Sequence, residues 1–127
     1  MKKILFSIFL AVMAISLNSC EDDYSGPSIP DFSGDWVLIE SNGHPINPNY
    51  ADIYTFWRNG EGELSYIDDY GTEIILPFTW DADEYTIYIR FRNPNYNPMF
   101  VYYDYQGRYM YFSESPNFVF YDVLERY

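Results

Sequence analysis

The sequence predicts an all-β fold, an eight-stranded antiparallel up-and-down meander closed or nearly closed into a β-barrel. Three observations lead there. Turn chemistry recurs at seven places: Asn42-Gly43, Asn59-Gly60, Asp68 to Gly71, Asp81 to Asp83, Asn93 to Pro98, Gln106-Gly107 and Ser113 to Asn117. The segments between these places are rich in Ile, Val, Thr, Tyr, Phe and Trp, the residues that suit a pleated, half-buried surface. Within them apolar side chains alternate with a period of two, which a helix does not produce. Short turns joining sequential strands make a meander, and closing it removes the unpaired edges that would invite aggregation.

Ahead of the barrel lies a segment of another kind. Lys2 and Lys3 precede an apolar run from Ile4 to Leu17, interrupted only by Ser7 and Ser16. A bilayer-spanning helix needs roughly 20 apolar residues, so this shorter run after a basic start reads as a helical secretory signal over 1–19. Leu17-Asn18-Ser19-Cys20 resembles the lipobox of bacterial lipoproteins. That resemblance implies cleavage before Cys20 and lipidation of its thiol, an anchor of acyl chains worth about 0.8 kcal/mol per buried CH₂. Glu21-Asp22-Asp23 resembles the surface-export signal of Bacteroidota lipoproteins, which implies the outer membrane and its outer face. Cys20 is the only cysteine, so a disulfide framework and a Cys-based zinc site are excluded. Residues 20–31, with Gly26, Pro27 and Pro30, read as a flexible acidic tether, and the domain as 32–127.

The expected strands are 35–42, 51–58, 61–67, 72–80, 84–92, 99–105, 108–113 and 117–126. In the fourth, Leu76, Phe78 and Trp80 share a face opposite Ile75, Pro77 and Thr79; in the fifth, Ile87, Ile89 and Phe91 oppose Thr86, Tyr88, Arg90 and Arg92. In the seventh, Met110 and Phe112 oppose Tyr109 and Tyr111, whereas in the sixth either Tyr102 or Tyr103 faces outward, depending on register. No helix is expected after the signal. The presumed inward set includes Trp36, Tyr54, Phe56, Phe78, Trp80, Phe91, Phe112 and Phe120, enough aromatic bulk to fill much of a lumen and leave a shallow apolar pocket near one end.

Ser33-Gly34-Asp35-Trp36-Val37-Leu38 resembles the Gly-x-Trp opening of lipocalins and their bacterial lipocalin-like relatives. Tyr54-Thr55-Phe56 before Asn59-Gly60-Glu61-Gly62, then Pro77-Phe78-Thr79-Trp80 and Tyr85-Thr86-Ile87-Tyr88-Ile89, follow in the order of small lipocalin-like lipoproteins. The resemblance spans about 32–127 and implies that Trp36 closes the base of the barrel beneath an arginine of the last strand, for which Arg126 is the positional candidate. Strand parity agrees with this: the even-numbered turns, the start of strand one and the end of strand eight fall at one tight end. The odd-numbered loops, among them 43–50 and 93–98, gather at the other, pointing away from the membrane. At that mouth the candidate ligand or partner residues are His44, Asn47, Tyr50, Tyr70, Asn95, Tyr96 and Asn117, with Asn49, Asn93, Asn97 and Ser115 beside them. Tyrosine and asparagine suit a sugar or a protein partner through ring contact and paired donors and acceptors, although Asn is also an ordinary loop-former.

Charge narrows the function classes. From Cys20 onward there are five arginines, no lysine and all nineteen acids, a net charge of −14 that offers no footprint for nucleic acid. Catalysis lacks a constellation: His44 stands alone, and Asp68, Asp69, Asp81, Asp83 and Glu84 occupy turns where acids are common. No cofactor or metal motif is present. The expectation is a monomeric, non-enzymatic, membrane-anchored envelope lipoprotein that binds a small ligand, glycan or protein through its mouth. A structural or inhibitory module acting through outward Tyr88, Tyr109 and Tyr111 is the alternative.

Overall fold

The structure, a computed structural model, describes residues 29–127. The signal segment, Cys20 and most of the tether lie outside the described residues. Nine strands follow one another among those described: β1 Gly34–Ser41, β2 His44–Pro45, β3 Ile53–Phe56, β4 Glu61–Ile67, β5 Glu73–Ala82, β6 Thr86–Phe91, β7 Met99–Gln106, β8 Tyr109–Ser113 and β9 Asp122–Arg126. All pairings are antiparallel and, from β3 onward, each strand pairs with the next. β1 pairs with β3 on one side and with β9 on the other, so eight strands close into a barrel. The two-residue β2 only folds back on the end of β1.

The alternation read from the sequence is the alternation of the barrel wall. Ile87, Ile89 and Phe91 are buried, as are Leu76, Phe78, Met110 and Phe112, and Trp80 is half-buried at one end. In β7 the register sends Tyr103 inward and leaves Tyr102 outward. Aromatic rings fill the lower lumen through edge-to-face and tilted contacts, Phe56–Phe78 at 5.6 Å and Phe78–Phe91 at 5.9 Å between centroids, the geometries that ring quadrupoles favour. Gly62 of β4 faces this cluster. A Cβ there would collide with the Thr55 carbonyl and lie 2.6 Å from Phe78 Cε1, so the Phe78 ring occupies the space glycine leaves. The Asn42-Gly43 turn uses positive φ at both residues, 51° and 84°, as a tight hairpin with right-handed strand twist requires.

Four expectations are corrected. The last strand begins at Asp122, not at residue 117, because Asn117 and Ser113 divert the backbone amides and carbonyls of 113–120 into local bonds and Phe118 takes φ 55°. Phe120 therefore sits in a loop and is 71% exposed rather than inward. β5 runs on to Ala82, confining the next turn to 83–85. Finally, Pro48–Tyr50 forms one turn of 3-10 helix, capped by the Asn47 side chain, where no helix was expected.

Strand direction puts residues 29–33, the turns at 57–60, 83–85 and 107–108, and Tyr127 at one end, the base. The connections 42–52, 68–72, 92–98 and 114–121 gather at the other end, the mouth.

Candidate functional site

The two ends differ in how they are filled. At the base, Phe32 enters the lumen, 1% exposed, with its ring 5.3 Å from Phe56, 5.1 Å from Trp80 and 5.5 Å from Tyr103. The Trp36 indole N–H donates to the Phe32 carbonyl at 2.7 Å. Arg126, opposite Trp36 in the β1–β9 ladder, lays its guanidinium 4.4 Å from the Trp36 ring centroid. It also donates to the Ser33 carbonyl at 2.8 Å and to the Asp31 carbonyl at 3.3 Å. The base is a plug with its polar groups paired.

At the mouth the lumen opens into a cavity of about 530 Å³. Met99, Val101 and Phe112 form its apolar floor, and Phe120 and Tyr121 overhang it from the 114–121 loop. Asn42, Ser113, Ser115, Glu114 and Asp122 supply its polar surface, and among the described residues no basic side chain lines it.

Local irregularities put those groups there. The β1–β9 register slips between Val123 and Leu124, which face Glu40 and Leu38 and leave Ile39 unopposed. Such a bulge reverses which face the following residues present. Glu40 shares the outer face with Val123, while Ser41 turns inward with Asp122, and its hydroxyl donates to Asp122 Oδ1 at 2.6 Å. Asp122 is also opposite inward Phe112 on its other side. Asp52, two residues before Tyr54, is half-buried outside the cavity lining, and its backbone carbonyl is fixed by the Leu38 N–H at 2.9 Å. The overhang is held by the Ser113 hydroxyl, which donates to the Phe120 carbonyl at 2.7 Å and accepts from the Ser115 amide. Asn117 Oδ1 accepts from the Ser115 hydroxyl and the Val119 amide.

The electrostatics of the mouth follow from burial without counterions. Partial burial, reinforced by the nearby charge of Asp122, raises the Asp52 carboxyl above its ordinary range. Burial, then the charges of Asp52 and Asp122, pushes the Tyr54 phenol well above its ordinary value. Tyr54 is 7% exposed, and the one partner found for its hydroxyl among the described residues is the Met99 thioether at 3.9 Å. The salt bridges among the described residues, Arg58–Asp31, Arg92–Glu61 and Arg108–Glu125, involve neither Asp52 nor Asp122.

The seven mouth candidates from the sequence all sit at this end, yet none lines the cavity. His44 is exposed on β2, Tyr50 ends the 3-10 turn, and Tyr70 stands 93% exposed at a turn tip. Asn47 and Asn117 spend their side-chain oxygens on backbone amides, and the Asn95 amide donates to Asn93 Oδ1 at 3.0 Å. Tyr96 packs on Phe91 and shares a 3.1 Å hydrogen bond with Tyr66. Sequence reading passed over Asp122, which lines the cavity, although parity from Leu124 marks it as an inward acid. Met99, the first residue of β7, was hidden at a strand boundary. Of the acids weighed for catalysis, Asp68 and Asp83 are turn caps, Asp68 accepting from the Tyr70 and Thr72 amides and Asp83 from those of Tyr85 and Thr86, and Asp81 lies within β5. No group of three or more His, Cys, Asp or Glu side chains converges as metal ligands would among the described residues.

No family model matches the chain, and neither a curated protein nor a solved structure matches it.

Proposed function

We propose that this chain is a lipid-anchored envelope lipoprotein of lipocalin-like type whose barrel is a non-enzymatic binding module for a small ligand. The observation that carries the reading is the contrast between the barrel's ends, a plugged base and a cavity of about 530 Å³ at the mouth, within the range of small-molecule pockets. Anchoring rests on the lipobox-like Leu17 to Cys20 and on the position of residues 29–33 at the base, which turns the mouth away from the anchored end. The cavity, rather than the exposed asparagines around it, is the place to look for the ligand.

Native mass spectrometry of the protein extracted gently from its own cells tests the binding reading. A discrete additional mass is expected, and it should vanish when Val101→Trp fills the cavity floor. A bare mass for both proteins overturns it. Anchoring is tested by metabolic labelling with palmitate, which Cys20→Ser should abolish together with membrane retention.

A further inference from the structure

We infer that the outer face of β6, β7 and β8 is a docking surface for a basic polypeptide segment, whose lysine or arginine side chains lie across its tyrosines with their charges at the carboxylates alongside. This surface is outside the lumen, so the inference goes beyond the cavity reading and stands or falls separately from it.

The outward aromatic residues of the strands are segregated to one side of the barrel. Tyr88 of β6, Phe100 and Tyr102 of β7, and Tyr109 and Tyr111 of β8 all project from it. Tyr88 is directly opposite Phe100, and the Phe100 ring lies 5.9 Å from that of Tyr102. The outward positions of β1, β3, β4 and β5 carry no aromatic residue. Apolar surface grouped in this way, rather than scattered singly, marks a contact site.

The acids select the partner. Three of the tyrosines have a carboxylate as direct cross-strand neighbour: Tyr88 is opposite Asp81, Tyr111 opposite Asp104, and Tyr109 opposite Glu125. Directly opposed side chains stand about 5 Å apart, so a ring and a carboxylate adjoin at three points. That combination receives a cation through the ring quadrupole and an ion pair together. The chain itself supplies the cation at one of the three, where Arg108 donates to Glu125 at 2.7 Å. Asp81 and Asp104 are exposed, and neither takes part in an ion pair among the described residues. Their hydrogen bonds are local, from the Ala82 amide and the Gln106 side chain. Arg90 is the one basic residue within these three strands, at the mouth end of β6 opposite Thr79. A neutral partner would use the rings and leave both carboxylates idle, whereas a basic one uses both. The strongly negative field of the whole domain also favours the approach of a basic chain.

The test titrates fluorescent hexalysine into the intact protein and reads anisotropy at about 0.15 M salt, where charges more than about 8 Å away are largely screened. The peptide should bind. Asp81→Asn and Asp104→Asn, which keep the acceptor oxygens of the local bonds, should each weaken it at least about threefold. Glu63→Gln and Glu73→Gln remove the same charge from outward positions of β4 and β5, and each should change the affinity by less than about 1.5-fold. Tyr88→Leu and Tyr111→Leu, which keep apolar bulk, should weaken the peptide at least about twofold. Arg108→Gln should tighten it by vacating Glu125. Circular dichroism melts check each variant, and where a tyrosine variant loses its fold the two asparagine variants decide. No binding of hexalysine overturns the inference. So does equal weakening by all four acid variants, which would mean attraction by net charge alone. Binding of cellohexaose that is lost with Tyr88→Leu, while hexalysine fails to bind, overturns it in favour of a glycan platform. None of these outcomes bears on the ligand expected in the mouth cavity.

Discussion

The base and the mouth of the barrel are built from the same alternation of strands, yet they treat polar groups in opposite ways. At the base, Asp31 is held down to about 2 by hydrogen bonds from Ser33 and by Arg58, and Asp83 is lowered by the Tyr85 amide and the Thr86 hydroxyl. Arg126 meets two carbonyls and an indole ring. At the mouth, Asp52 is raised by burial and by its acidic neighbour, and the Tyr54 hydroxyl meets only the Met99 sulfur among the described residues. A closed barrel can hold poorly paired groups at one end because the other end and the aromatic core carry its stability. The difference teaches where to seek function: in the part of the structure whose groups fold leaves unsatisfied.

The comparison is broken most severely by removing the plug. Trp36 is fully buried, donates to the Phe32 carbonyl and supports Arg126. Trp36→Ala should cost about 3–5 kcal/mol, as large-to-small substitutions of buried aromatics do. Urea denaturation followed by far-ultraviolet circular dichroism measures it. A loss below about 1 kcal/mol would mean that the base is not where stability resides.

Next in size is Gly62→Ala. The added methyl has no room between the Thr55 carbonyl and the Phe78 ring, so strand or ring must move, at a cost of about 1–3 kcal/mol typical of overpacking. Pairing the change with Phe78→Leu sharpens the assignment. If the ring is the obstacle, the double variant should be less destabilised than the sum of the single ones.

The barrel was legible because its signals are local and repeated. Ile87, Ile89 and Phe91 show the period of two directly, Asn42-Gly43 and Gln106-Gly107 mark hairpins, and the parity of the turns separates a tight end from a loop-rich one. Two features were not legible. The bulge at Ile39 depends on how β9 pairs with β1 across the closure, a contact between residues far apart in sequence that no local pattern encodes. The end of the 114–121 loop, residues 117–121, reads as strand because Phe118, Val119 and Phe120 are good strand residues, while Ser113 and Asn117 override that preference with hydrogen bonds. The loop misreading placed Phe120 inside the lumen instead of at the mouth, where it is 71% exposed.

The smallest effect is the most discriminating, because the two ends should answer acid with opposite signs. Asp83 has a lowered pKa in the fold, so its carboxylate contributes stability above the unfolded value of 3.8 and loses it as pH falls through the folded value. Asp83→Ala should therefore destabilise the protein at pH 7, by an amount that shrinks as pH falls below 3.8. Asp52 has a raised pKa, so the folded state binds its proton more tightly than the unfolded chain. Its ionisation erodes stability as pH rises from 3.8 through the folded value. Asp52→Asn should then make the protein more stable than wild type at pH 7, and the gain should disappear at pH values below 3.8. Thermal melts of the two variants against wild type between pH 3 and pH 7 give the differences directly. Opposite signs at pH 7 that converge in acid would mark Asp52 as a charge that the fold tolerates at a cost. A destabilised Asp52→Asn would mean that the carboxylate already has a stabilising partner within the protein.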